Sequence, residues 1–198
     1  MKSLFRGGRR RGAPVDYLIV GLGNPESKYA GTRHNVGFEA VNELGRRWGV
    51  ERARKGFAGL VSEGRAGGTG RRAALLLPQT YMNESGRSVG PARGHFRLPL
   101  ERVVVIHDEI DLPFGEVQAR QGGGLAGHRG LVSVKQALGG SDFWRIRVGV
   151  GRPESTDPEV VASYVLSRFS ERPEDVRNLI ERAADRVEEL VGPDSSEQ

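Results

Sequence analysis

Val15-Asp16-Tyr17-Leu18-Ile19-Val20-Gly21-Leu22-Gly23-Asn24-Pro25 is the stretch on which the reading of the fold turns. Val15 to Val20 reads as a short apolar strand running into a Gly-rich turn, and Val103 to Ile106 reads as a second. Such runs suit strands buried on both faces of a largely parallel sheet, because neither side of the pleat meets water. Phe57 to Ser62 and Arg71 to Leu77 flank another Gly-rich turn and read as antiparallel strands. Trp144 to Val150 alternates, with Trp144, Ile146, Val148 and Val150 on one face and Arg145 and Arg147 on the other. Helical stripes fall between them. Val41, Leu44 and Trp48 follow Asn35, and Leu131, Val134 and Leu138 follow His128, with Gly139-Gly140 as a stop. Pro158 opens a further helical segment. Pro173 sits near the start of another, whose apolar face is Val176, Leu179, Ile180, Ala183, Val187 and Leu190. Strands alternating with helices imply an α/β fold: a single three-layer domain with a twisted mixed, largely parallel central sheet and helices on both faces.

The 198 residues suffice for one compact domain with a real core. The expected boundaries are a disordered basic extension over 1–14, the domain over 15–192 and a loose end over 193–198. No apolar run approaches the roughly 20 residues that span a bilayer. The basic N-terminus lacks the apolar core of a secretory signal, so a cytoplasmic protein is expected. The absence of cysteine removes thiol nucleophiles, disulfides and Cys-based zinc sites. The net charge of +5 is unevenly spread. Residues 1–12 carry five basic side chains and no acid, residues 13–152 twenty basic and thirteen acidic, and residues 153–198 five basic and twelve acidic. A polyanionic partner such as RNA on one face fits this distribution, and so does scattered solvated charge.

Ligands of open α/β sheets bind beyond the carboxyl ends of the parallel strands. Asn24 follows the first strand there, and His107-Asp108-Glu109 with Asp111 follows the second. Gly21-Leu22-Gly23 is not a dinucleotide fingerprint, since Glu26 occupies the place of its third glycine. His34, between Thr32-Arg33 and Asn35-Val36-Gly37, is the natural proton acceptor at neutral pH, although taken alone a histidine there reads better as a cap for the following helix. Asp108 shifts the balance: a carboxylate at a strand end can fix one imidazole tautomer and leave the other nitrogen basic. With no Gly-x-Ser-x-Gly elbow, water activated by His34 is simpler than covalent catalysis. The amides of Asn24 and Asn83 could donate to a carbonyl or accept from water, which suits hydrolysis of an acyl bond. Gly122-Gly123-Gly124-Leu125-Ala126-Gly127-His128 is a Gly-rich loop able to bring backbone N–H groups to a phosphate or carbonyl, or simply a mobile connection. His107 and His128 with Asp108 and Asp111 have metal-ligand chemistry, but no metal-site spacing supports it, so neither metal nor cofactor is expected.

Together these segments resemble the bacterial-type peptidyl-tRNA hydrolases. The resemblance rests on Val20-Gly21-Leu22-Gly23-Asn24-Pro25, Tyr29, Thr32-Arg33-His34-Asn35-Val36-Gly37 and Pro78-Gln79-Thr80-Tyr81-Met82-Asn83-Glu84-Ser85-Gly86. It continues through His107-Asp108-Glu109-Ile110-Asp111-Leu112-Pro113, the Gly-rich loop with His128, and Arg147-Val148-Gly149-Val150-Gly151, in order from about Tyr17 to Ser167. It implies hydrolysis of the ester joining a peptide to the 3′ end of tRNA in molecules released prematurely from ribosomes. His34 is then the base and Asp108 the carboxylate that orients it. Asn24, Tyr29, Tyr81, Met82, Asn83, His128 and Arg129 contact substrate, and Arg120 and Arg147 contact tRNA phosphates. The implied partner is peptidyl-tRNA, with the protein acting as a monomer and without a membrane; a non-catalytic RNA-binding relative is the alternative. Two positions depart from the family pattern. Arg129 stands where Asn is usual, and Gln118 where Lys is common.

Overall fold

The computed structural model describes residues 14–50, 53–67 and 70–192. The extension expected over 1–14, Pro14 apart, and the loose end expected over 193–198 lie outside the described residues. The opening stretch forms β1 (Tyr17–Gly21), buried at every position. Val103–Glu109 forms β5, also buried throughout. They pair in parallel, with Leu18 opposite Val103 and Gly21 opposite Ile106. β4 (Arg72–Pro78) runs parallel along the other side of β1, and β7 (Trp144–Gly149) runs parallel to β5. The hairpin of β2 (Arg54–Gly56) and β3 (Gly59–Arg65) extends the sheet antiparallel from β4. β6 (Val117–Gln121) closes the far edge antiparallel to β7. The order is β2-β3-β4-β1-β5-β7-β6, a mixed sheet with a parallel centre.

The continuous apolar run of β1 follows from burial on both faces. Tyr17 and Ile19 meet α1 (Val36–Arg47) and α5 (Pro173–Leu190), which supply Val41, Leu44, Leu179 and Ala183 to one core. Leu18 and Val20 point the other way, towards α2 (Gly86–Phe96) and α3 (Arg129–Leu138), which supply Val89, Ala92, Leu131 and Val134 to the second. α4 (Pro158–Val165) buries only Val165. Among the described residues no helix is long and apolar enough to cross a membrane.

Three expectations need correction. Phe57 does not begin a strand: Phe57 and Ala58, both left-handed at φ 55° and 49°, form the two-residue turn between β2 and β3. His107-Asp108-Glu109 does not follow the second strand but completes it, because β7 supplies backbone partners as far as Glu109 opposite Gly149. The first strand starts at Tyr17 rather than Val15 and ends on Gly21.

The connection after β1 leads through α1 towards β4, whereas that after β5 leads the opposite way to β6 and β7. Between the carboxyl ends of β1 and β5 the chain therefore diverges and opens a crevice. Gly37 lets the first turn of α1 press onto this point. A Cβ there would lie 2.4 Å from the Ile106 carbonyl oxygen and 2.6 Å from the Leu22 nitrogen.

Candidate active site

Beyond β1 the backbone at Asn24 has no strand beside it, and the Asn35 side chain takes the place of one. Its Oδ1 accepts from the Asn24 N–H and its Nδ2 donates to the Asn24 carbonyl, both at 2.9 Å. The side-chain Oδ1 of Asn24 in turn accepts from the Met82 N–H at 2.8 Å. Because a backbone N–H can only donate, the atom facing it is the oxygen, and the Nδ2 donors of Asn24 keep no partner among the described residues.

His34 lies on a single 3-10 turn, Arg33–Asn35, that leads into α1. It does not cap that helix, since the cap position is Asn35 and no side-chain cap bond forms. Its Nδ1 lies 2.9 Å from Asp108 Oδ1. His128 is the capping histidine, at the start of α3. Its Nδ1 accepts from the N–H groups of Gly130 at 3.2 Å and Leu131 at 3.3 Å, and its Nε2 reaches the same Asp108 Oδ1 at 3.0 Å. A nitrogen accepting from two backbone N–H groups carries no proton, so the proton of His128 sits on Nε2 and points at Asp108. The His34 Nδ1 likewise donates to the carboxylate, which leaves His34 Nε2 as a bare lone pair.

The charges follow from this geometry. Burial would raise the Asp108 carboxyl, but the two imidazoles reverse that and hold it well below the usual carboxylate range. Burial also pulls His34 down, yet the charge and hydrogen bond of Asp108 prevail and raise it above 6.5. The His34 side chain is 15% exposed against 3% for Asp108, so it is the member of the pair that a small molecule can reach. His107, buried beneath, donates from Nδ1 to the Asp108 carbonyl at 2.7 Å and packs edge-on against His128 with ring centroids 5.1 Å apart. Burial first, then His128, pushes His107 down to about 3.

A cavity of about 480 Å³ opens over this cluster. Every residue expected for catalysis or substrate contact lines it: His34 and Asp108, then Asn24, Tyr29 and Tyr81, then Met82, Asn83, His128 and Arg129. Arg120 and Arg147 do not. Both lie on the β6–β7 part of the sheet, where Arg120 is opposite Arg145 and Gln118 is opposite Arg147. Arg147 donates to Glu109 Oε2 and to Gln118 Oε1, each at 3.0 Å.

Several site-building residues were not singled out in the sequence. Asn35 is one, although it sits in the quoted motif. Arg145 is almost wholly buried and donates to the carbonyls of Gly122 and Gly124, which ties down the Gly-rich loop. Arg33, equally buried, donates to the Arg168 carbonyl at 2.6 Å, pairs with Glu171 at 3.1 Å and stacks over Tyr164. It thereby fixes the segment after α4, whose Val161, Ala162 and Val165 give the cavity an apolar wall. Burial and contact partners, not sequence pattern, reveal these three.

His34, Asp108 and His128 also have the donor types of a metal site, with ligand atoms within 4.8 Å of one another. The fit is poor, because both imidazole nitrogens that face Asp108 carry protons in this geometry. His128 could deprotonate there only by giving up its cap.

Fold and cluster thus define a three-layer α/β protein with a hydrogen-bonded His–Asp–His cluster beneath a cavity at the divergence of its central strands. The sequence model of the peptidyl-tRNA hydrolase family matches residues 18–198. The peptidyl-tRNA hydrolase of Geotalea daltonii is 49% identical over 174 residues, covering 88% of this chain and 87% of that protein. That of Geobacter sulfurreducens is 48% identical over 175 residues, 88% of each. The crystal structure of peptidyl-tRNA hydrolase from Acinetobacter baumannii aligns with a TM-score of 0.77 at 37% identity, covering 90% of this chain and 88% of that one. The chain belongs to the peptidyl-tRNA hydrolase family.

Proposed function

We propose that this enzyme hydrolyses the ester of peptidyl-tRNA by general-base catalysis, with His34 as the base. Water attacks the ester carbonyl carbon while its proton passes to His34 Nε2, and Asp108 stabilises the imidazolium that forms. The Asn24 Nδ2 donors face the developing oxyanion, and Asn83 helps to place water and peptide. The tetrahedral intermediate then expels the 3′ oxygen of the terminal ribose, which takes the proton from His34. The products are a peptide carboxylate and free tRNA. Tyr29, Tyr81, Met82, His128 and Arg129 surround the peptide, and Arg120 and Arg147 meet tRNA phosphates. The enzyme acts as a monomer in the cytoplasm.

One observation carries the mechanism: Asp108 Oδ1 accepts from both His34 and His128, which leaves Nε2 of His34 free at the cavity. An aminoacyl ester is already activated, so a placed base, typically worth ~10²–10⁴-fold, suffices as the centrepiece. The test is hydrolysis of an N-acetylaminoacyl-tRNA by the wild type and by His34→Ala. The variant should lose roughly 10²–10⁴-fold in kcat while still binding tRNA. Undiminished hydrolysis would remove His34 from the mechanism, and a wild type that binds tRNA without cleaving it would favour the non-catalytic reading.

A further inference from the structure

Arg129 differs from every other charged group on the cavity. Asp108 is engaged by two imidazoles and Glu109 by Arg147. Arg129 alone among the cavity's described residues is a lysine or arginine, and it is exposed. No hydrogen bond or ion pair with a described residue occupies it. Its position is also unfavourable for a cation. It is the first residue of α3, where the positive end of the helix dipole prefers an acid. His128 already caps the helix, so Arg129 does nothing for the helix start. An unpaired guanidinium kept there against local preference fits a receptor for an anion that the substrate brings.

The rest of the cavity indicates which anion. Val161, Ala162, Val165 and Leu125 make part of its lining aliphatic, which suits amino-acid side chains better than a sugar-phosphate chain. Arg120 and Arg147, the groups proposed above for phosphates, lie outside it. Arg129 follows His128, whose ring centroid is 5.1 Å from that of His34. A peptide whose ester carbon sits at His34 reaches its penultimate residue roughly 3.5 Å farther on. We propose that Arg129 is a specificity-determining residue that favours peptidyl-tRNAs with glutamate or aspartate as the penultimate residue. The inference rests on the hydrolytic reading above.

Three substrates on one lysine tRNA test it: N-acetyl-Glu-Lys, N-acetyl-Gln-Lys and N-acetyl-Lys-Lys. The wild type should prefer the Glu over the Gln substrate by about 5-fold in kcat/KM, the upper end for an exposed ion pair, and should use the Lys substrate least. Added salt should erode the ratio. Arg129→Lys should keep the order, Arg129→Gln should abolish it, and Arg129→Glu should invert it. The last change places an acid at the helix start, which the dipole favours, so the fold is not at risk. Equal wild-type rates on the Glu and Gln substrates would overturn the proposal and leave the hydrolytic reading standing. So would an Arg129→Gln enzyme impaired equally on all three, which would indicate an RNA phosphate instead. A wild type that cleaves none of the three would bring down both.

Discussion

Asp108→Asn separates charge from geometry at the proposed catalytic pair. Both imidazoles donate to a single oxygen, Asp108 Oδ1, at 2.9 Å and 3.0 Å. An asparagine with its carbonyl oxygen in that place can accept both bonds, so the tautomers of His34 and His128 survive while the negative charge is lost. The loss is felt when His34 becomes an imidazolium in the transition state. Unit charges about 4 Å apart attract by roughly 1 kcal/mol at the dielectric of water and roughly 4 kcal/mol at an effective dielectric of 20. Asp108 is buried and His34 opens to the cavity, which puts the cost near the middle of that range, or about 10²-fold in kcat/KM. The pH profile supplies the sign. Hydrolysis needs neutral His34, whose proton affinity Asp108 raises above 6.5 against the opposing pull of burial. The wild-type acid limb should therefore lie above 6.5. In the variant only the hydrogen bond opposes the larger pull of burial, so the limb should move below 6.5. Release of labelled N-acetylamino acid from tRNA, followed from pH 5 to pH 9, measures both quantities. An acid limb that stays in place would refute the reasoning. So would an Asn variant as damaged as Asp108→Ala, which loses both hydrogen bonds as well as the charge.

Two further predictions concern the scaffold. Gly37→Ala would push a Cβ to 2.4 Å from the Ile106 carbonyl oxygen and 2.6 Å from the Leu22 nitrogen, and neither backbone atom can yield. It should lose about 3 kcal/mol or more in urea unfolding, whereas Gly94→Ala, helical and with nothing within 4 Å, should gain about 0.4–1 kcal/mol. His107 titrates near 6.5 in the unfolded chain but is pushed down to about 3 in the folded protein, so stability is lost as pH falls through that window. The slope is about 1.4 kcal/mol per pH unit. His107→Phe should remove it, and urea midpoints at pH 7 and pH 5 that move as in the wild type would contradict the assignment.

β1 and β5 were legible in the sequence because a strand covered on both faces must be apolar at successive positions, and Leu18, Ile19 and Val20 satisfy that. α2 was not legible, because Gly86, Gly90, Gly94 and Pro91 all count against a helix. Tertiary packing explains the choice. A Cβ on Gly86 would lie 2.3 Å from the Ser133 carbonyl oxygen, so the close approach of α2 to α3 requires glycine. Pro91 leaves the Arg87 carbonyl without its helical partner, but both residues face solvent. At the site the motif residues did converge, since the ends of neighbouring strands bring distant segments together. What sequence could not show was Asn35 standing in for a strand, or Glu109 engaging Arg147, since each depends on one side chain meeting one partner.

The choice of His128 as a helix cap becomes intelligible through His34. Serine, threonine, aspartate or asparagine would hold the start of α3 at least as well. Serine and threonine would have no second polar atom to extend towards Asp108, and the second oxygen of an aspartate cap would meet that carboxylate as another acceptor. Histidine has two ring nitrogens, and the cap decides which of them is protonated. With Nδ1 accepting from Gly130 and Leu131, the proton must lie on Nε2, where it meets Asp108 Oδ1. That bond holds the carboxylate oxygen in place and contributes to keeping it ionised. An ionised oxygen so placed compels His34 to present an N–H from Nδ1 at 2.9 Å. The bare Nε2 of His34 is thus set by constraints that begin at the helix cap, and one neutral imidazole is used to orient another through a shared oxygen. His128 then needs no part in proton transfer to matter to it: its ring nitrogen specifies the protonation state of its neighbour.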